Sequence, residues 1–302
     1  MWIVTDEVRG AIAERRPVVA LESTLFAHGL PAPVGLETAA ALEAIVRERG
    51  ALPATIGMID GQLVVGLSAR QIERLASGRD VRKLSRADLA HAIATRACGA
   101  TTVAATMFAA HRAGIAIFAT GGIGGVHRGV EQTMDVSADL TELSRTRVCV
   151  VASGAKSILD LPRTLEMLET LGVPVIGFET DELPAFFVRK SGLALTQRVE
   201  NAAAAARLVA AQIALDVDTG ILLAVAPPVE SALDPALVDR AIEAALASAA
   251  QRGIRGKSVT PHLLAEVRAQ TQGLSLAANV ALVRNNARVA AEVAVALAHS
   301  SA

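Results

Sequence analysis

The chain has 302 residues, and its 29 lysines and arginines nearly balance 30 aspartates and glutamates; a formal charge of −1 supplies no field that would gather nucleic acid. Just over half of it is hydrophobic (52%), which excludes a disordered chain, while aromatic residues make up only 2% and leave few rings for bases to stack on. No apolar run reaches the ~18 residues a membrane helix needs, and the first residues are charged where a signal peptide would be apolar, so a cytoplasmic protein that meets neither membrane nor nucleic acid is expected.

Residues 17–21 form a short apolar run that reads as a buried strand. It ends in Glu22-Ser23-Thr24, followed by His28-Gly29 and a turn carrying Pro31 and Pro33. A carboxylate at the end of a buried strand loses water, which raises its pKa and suits it to hold a proton. A capping or salt-bridge role accounts for Glu22 slightly better on the residues alone. Leu36, Ala39, Leu42, Ile45 and Val46 then share one helical face, closed by Gly50. Strands at 55–59 and 63–67 flank Asp60-Gly61, a hairpin signal. A helix over 68–76 is broken by Gly78-Arg79-Asp80, and Ser85 reads as the N-cap of a helix over 87–96. Between them, Lys83 as a point charge and Arg86 as a fork could grip a phosphate, although basic residues on a turn are more often simply solvated.

The centre of the chain carries the densest chemistry. A helix over 103–112 ends at Gly114, and a strand over 115–119 runs into Thr120-Gly-Gly-Ile-Gly-Gly-Val-His127. Such a glycine loop can turn backbone N–H groups toward an anion, or simply pack tightly against a neighbouring strand. It fits neither dinucleotide nor NTPase fingerprint. Asp135, Ser137 and Asp139 offer two carboxylates and a hydroxyl, a set suited to a hard cation such as Mg²⁺ or Mn²⁺, to sugar hydroxyls, or to a helix N-terminal turn. A second strand over 148–152 runs into Ser153-Gly-Ala-Lys156, with a helix expected from Ser157. A lysine at a helix N-terminus beside a buried strand favours the neutral, nucleophilic amine; a phosphate-binding lysine is the other reading. Cys98 and Cys149 belong to no CxxC pair and read as buried structural thiols.

The remainder alternates strands (173–178, 220–226) with helices (201–216, 234–252, 276–299) and a loop over 253–261. Asn279, Asn285 and Asn286 interrupt the last helix, and packing or a ligand could claim their amides. The pattern gives one α/β domain spanning 1–302, a mostly parallel sheet layered between helices as a three-layer α/β/α sandwich. Its ligand belongs at the carboxyl ends of the strands.

Ten segments, in order, carry a family resemblance: LESTLFAHGLPAP from Leu21, KLSRADL, GATTVAATM, FATGGIGGVHRG, DVSADLTEL, GAKSILD, LEMLETLGVPVIGF, TDELPAFF, GKSVTPHLL and NVALVRNNA ending at Ala287. The chain resembles the pseudouridine-5′-phosphate glycosidases over nearly its whole length. The resemblance implies an α/β/α fold, a homotrimer, and reversible cleavage of pseudouridine 5′-phosphate to uracil and ribose 5-phosphate. It implies that Glu22 is the proton donor, that Lys156 is the nucleophile forming a sugar adduct, and that Asp135 holds a divalent metal, usually Mn²⁺, largely through waters. Lys83, Val103, Ser137, Ala138 and Asp139 match substrate contacts, and His127 and Asn279 match positions lining the same pocket. Gly35, Glu200, the turn from Val225 to Pro228, and His262 depart from the family pattern, none at a catalytic position.

These residue types suit the reaction. A carbon–carbon glycosidic bond cannot be broken by protonating a leaving heteroatom, as ordinary glycosidases do, whereas an amine that captures C1′ supplies an electron sink. A Schiff-base aldolase for another phosphosugar would use the same lysine without releasing uracil. A non-catalytic sugar-phosphate binder would show no turnover at all.

Overall fold

In the computed structural model, residues 1–78, 80–254 and 259–300 are described. Arg79 of the expected helix breaker and residues 255–258 of the expected 253–261 loop lie outside the described residues. Eleven strands form one sheet: β1 (Trp2–Val4), β2 (Val18–Glu22), β3 (Leu52–Ile59), β4 (Gln62–Val65), β5 (Arg82–Leu84), β6 (Gly99–Thr101), β7 (Ile117–Ala119), β8 (Cys149–Ala152), β9 (Val175–Phe178), β10 (Arg198–Val199) and β11 (Ile221–Val225). The main order is β1-β4-β3-β2-β7-β8-β11-β9-β10, with β6 joined to β3 and β5 to β6. Pairing is parallel except at β3–β4 and β3–β6. The Asp60-Gly61 hairpin forms as expected, both residues having positive φ (50° and 75°).

The central strands are buried on both faces, as a sheet covered by helices requires. The helix Leu274–Ser300 lies on β2, β7 and β8, flanked by helices Val34–Glu48 and Ala202–Ala214. Its buried Ala287, Ala290, Ala291 and Ala294 let it approach the strands closely. The helix Val103–Ala113 packs against β2 and β3, with Ala138–Leu143 beside it. The expected α/β/α layering is therefore what forms.

Local signals explain most helix ends. Ser68 makes a capping box with Gln71, and Thr102, Asn201 and Asp234 cap the helices that follow them. Gly114 ends its helix in the left-handed region at φ 84°. Ser85 caps a short 3-10 turn, Arg86–Asp88, before the helix Leu89–Ala94. The helix Asp6–Ala13 escaped the sequence reading, as did β1, β5, β6 and β10, four strands of three residues or fewer. Cys149 is buried, and its thiol is pushed up to about 12 by burial, whereas Cys98 is only half-buried.

Candidate active site

Parallel register builds the site. Because Leu21 of β2 pairs with Ala119 of β7, the next residues, Glu22 and Thr120, leave the sheet side by side. The Thr120 hydroxyl donates to Glu22 Oε1. Glu22 is 7% exposed, and burial raises its pKa above the ordinary 4.5. The Lys156 ammonium, the Thr120 hydrogen bond and Lys83 oppose that shift in part. The strand-end carboxyl is therefore poised to carry a proton, as the sequence suggested.

Lys156 enters from the turn after β8. Its N–H donates to Ile123 O at 3.1 Å, and Nζ donates to Gly122 O at 2.8 Å. The helix expected from Ser157 starts instead at Leu161: Asp160 caps it by accepting from Arg163 N at 3.1 Å, and a proline stands in its first turn. Lys156 is thus not at a helix N-terminus. Its nearest fixed partner is the glycine-loop carbonyl.

The glycine loop is shaped by close packing. A Cβ on Gly122 would lie 2.6 Å from the Phe186 ring, and one on Gly124 would lie 2.2 Å from Ser137 Oγ. The Gly124 N–H is committed to Asp139 Oδ2 at 2.8 Å, so at that residue the anion the loop meets is a carboxylate of the chain itself. Asp139 also accepts from Ala104 N at 2.9 Å, in the first turn of helix Val103–Ala113. Ser137 caps the helix Ala138–Leu143, accepting from Asp139 N at 3.2 Å. Val103 is 2% exposed; with an apolar side chain it can offer a ligand only its backbone N–H at a helix start.

Asp135 and His127 are brought together by the bridge between Val126 and Val136, with His127 N donating to Asp135 O at 3.0 Å. Burial lowers the His127 pKa, and the Asp135 carboxylate offsets part of the shift. Lys83 stands on β5. Arg86 does not join it: its guanidinium is turned onto Glu142 at 2.7 Å and over the Phe108 ring at 4.7 Å. Of the pair expected to grip a phosphate, only Lys83 lines the cavity. Asn279 comes from the C-terminal helix, 7% exposed, and its buried Oδ1 has no hydrogen-bond partner among the described residues.

All ten residues singled out in the sequence (Glu22, Lys83, Val103, His127, Asp135, Ser137, Ala138, Asp139, Lys156 and Asn279) line one cavity of about 470 Å³. Thr120, Phe186 and His28 line it as well and were not singled out. Thr120 was legible in principle from its place after the strand, opposite Glu22. His28 Nε2 donates to Val81 O at 2.9 Å, and its pKa is lowered by burial. No cluster of three or more histidine, cysteine or acidic side chains able to hold a metal occurs among the described residues. A single half-buried carboxylate, Asp135, fits only a hard cation that keeps most of its water.

The sequence pattern of the family described as indigoidine synthase A like protein matches residues 7–296. A pseudouridine-5′-phosphate glycosidase of Caldanaerobacter subterraneus subsp. tengcongensis is 54% identical over 97% of this chain and 96% of its own. One from Herpetosiphon aurantiacus is 57% identical over 99% and 98%. The chain belongs to this family of glycosidases. Among solved structures, the prealnumycin C-glycosynthase AlnA in complex with ribulose 5-phosphate superposes with a TM-score of 0.92 at 44% identity, covering 100% of this chain and 98% of that one. An indigoidine synthase A-like protein from Thermotoga maritima gives 0.90 at 36% identity, covering 99% and 97%. No helix among the described residues is long and apolar enough to cross a membrane.

Proposed function

We propose that the chain cleaves pseudouridine 5′-phosphate reversibly to uracil and ribose 5-phosphate through a Schiff base on Lys156. The observation that carries this reading is one cavity holding a buried carboxyl with a raised pKa, Glu22, together with a lysine amine fixed on a backbone carbonyl. Family membership and a sugar phosphate in the AlnA complex support it.

Glu22 gives its proton to the ribose ring oxygen while the Lys156 nitrogen attacks C1′, opening the ring. The nitrogen, cationic after the attack, returns a proton to the Glu22 carboxylate, which passes it to uracil C5 as the C1′–C5 bond breaks, and the bonding electrons stay with the departing uracil. The nitrogen lone pair makes the iminium at C1′. Water then adds to that carbon, expels the amine and releases ribose 5-phosphate. Lys83 and the backbone N–H of Val103 suit the 5′-phosphate. Ser137, Ala138, Asp139, His127 and Asn279 shape the rest of the pocket. Asp135 would hold Mn²⁺ mainly through waters, and the ion when bound would supply positive charge against oxygens that gain electron density. A homotrimer in the cytoplasm completes the proposal.

Purified protein supplied with pseudouridine 5′-phosphate and Mn²⁺ is expected to form uracil, followed by chromatography; no uracil would overturn the reading. Exhaustive chelation is expected to abolish turnover, with Mn²⁺ restoring it. Full activity after chelation would remove the metal from the proposal.

A further inference from the structure

The TDELPAFF segment, residues 180–187, takes no part in the chemistry above, yet it is wedged against the glycine loop and against the turn that carries Lys156. Phe186 has φ 60°, a left-handed conformation that a bulky side chain keeps only where its surroundings impose it. Those surroundings are specific. The Phe186 N–H donates to Ser153 O at 3.0 Å, in the turn leading to Lys156. Pro184 O would lie 2.2 Å from a Cβ on Gly154, which itself has φ 72°, so the two turns interlock only because Gly154 has no side chain. The Phe186 ring, 2% exposed, meets Phe187 edge-on at 4.7 Å between centroids. It also packs on the glycine loop, most closely at Gly122, where a Cβ would lie 2.6 Å from the ring. The carbonyl of that same glycine accepts from Lys156 Nζ at 2.8 Å.

Direct contacts therefore run from the ring to Gly122, from its carbonyl to the amine, and from Ser153 back to the Phe186 backbone. We propose that Phe186 is a positioning residue for Lys156: held by its left-handed backbone, the ring seats Gly122 so that the Gly122 carbonyl aims the amine into the cavity. This deepens the proposed function and rests on Lys156 being the nucleophile. A lysine amine ends a flexible four-carbon stem, and a nucleophile misplaced by 1 Å can lose about 100-fold in rate. A clamp on its carbonyl partner is thus an economical way to fix it. The strained turn is retained because a relaxed one would withdraw the ring from Gly122.

The step that reads this positioning is imine formation with open-chain ribose 5-phosphate. The Lys156 nitrogen bonds to C1, the carbonyl oxygen leaves as water, and borohydride delivers hydride to C1, leaving a stable secondary amine. Full-length wild type, Phe186→Leu and Phe186→Met are incubated with ribose 5-phosphate and borohydride. Adduct on the Lys156 peptide is followed by mass spectrometry, with uracil release and the thermal midpoint measured alongside. Phe186→Leu is expected to slow adduct formation and kcat together by about 10–100-fold with KM within about threefold. Phe186→Met, closer in volume, is expected to fall between it and wild type. Unchanged trapping and kcat in Phe186→Leu, a loss confined to KM, or a loss that disappears well below the variant's thermal midpoint would overturn the proposal and leave Lys156 as nucleophile. No adduct on wild-type Lys156 would overturn the nucleophile assignment and this proposal with it.

Discussion

Glu22 is buried where water cannot share its charge, and this has consequences for both turnover and stability. Between the ordinary carboxylate value of 4.5 and its raised value, the folded protein holds a proton that the unfolded chain has already released. Native protein binds more protons than unfolded in that window, so this group's contribution to stability falls as pH rises through it. Glu22→Gln keeps an oxygen for the Thr120 hydroxyl but cannot ionise or donate its proton. It is expected to raise Tm at neutral pH, by progressively less as pH falls toward about 4, and to lower kcat by about 10²–10⁴. Thermal unfolding against pH, beside uracil release, checks both halves; a variant whose Tm follows wild type at every pH would deny the carboxyl its unfavourable burial. On the sequence alone Glu22 leaned slightly toward a cap or salt bridge rather than an acid. The register of β2 with β7 surrounds the carboxyl with a hydroxyl and an amine, which supports the proposed acid role.

At the scale of elements, the two walls of the cavity are held together by a pair that sequence reading put to another use. Arg86 follows β5, which carries Lys83, and Glu142 lies in the helix Ala138–Leu143 behind Ser137 and Asp139. Glu142 is 0% exposed and accepts from Arg86 at 2.7 Å, Arg145 at 3.2 Å and the Thr146 hydroxyl at 2.5 Å. Arg86→Met is expected to cost about 1–3 kcal/mol by leaving a buried carboxylate short of partners, and to raise KM by loosening the wall that carries Lys83. Glu142→Gln should cost less, since both arginines reach solvent, and the double variant should lose less than the sum. Urea unfolding of the three variants tests this; strictly additive losses would show that the pair does not couple the walls. Arg86 could not be read correctly from KLSRADL because its partner lies 56 residues away. The helix after Lys156 was misread for a local reason: Ser157 can cap a helix, yet Asp160 with a proline behind it caps this one. Long periodic helices and strand–glycine junctions were legible, since hydrophobic spacing and turn chemistry are written locally. The short strands β1, β5, β6 and β10 were not, because too few residues carry their alternation, whereas β7, equally short, was legible from the apolar run that leads into its glycine turn.

Across the whole molecule, segments from Glu22 to Asn279 converge at the carboxyl edge of one mostly parallel sheet, and the last helix closes the arrangement from behind. That helix carries asparagines for which the sequence left packing and ligand equally open, and the structure separates them. Asn286 is 0% exposed, and its Nδ2 donates to Thr120 O at 2.8 Å, with Gly121 O at 3.3 Å and Ser153 Oγ at 3.2 Å also in reach. It ties the C-terminal helix to the glycine loop and to the turn that carries Lys156, and its hydrogen-bonding capacity is spent. Asn285 is also engaged within the protein, accepting from Arg288 at 2.9 Å. Asn279, two turns earlier, lines the cavity with an unpartnered Oδ1. Truncating the two residues should therefore have opposite signatures. Asn286→Ala leaves the Thr120 carbonyl and the Ser153 hydroxyl short of partners in a buried interior, while Gly121 O keeps the Ser153 N–H at 2.9 Å; a loss of about 1–3 kcal/mol in urea unfolding is expected, with kcat reduced because both loops loosen. Asn279→Ala removes an acceptor that no protein group uses, so stability should change by less than about 1 kcal/mol while KM for pseudouridine 5′-phosphate rises several-fold. Chemical denaturation and steady-state kinetics on the two variants, run together, read the difference. Asn279→Ala losing stability as Asn286→Ala does, with KM unchanged, would place its amide in the packing and take it out of the binding site.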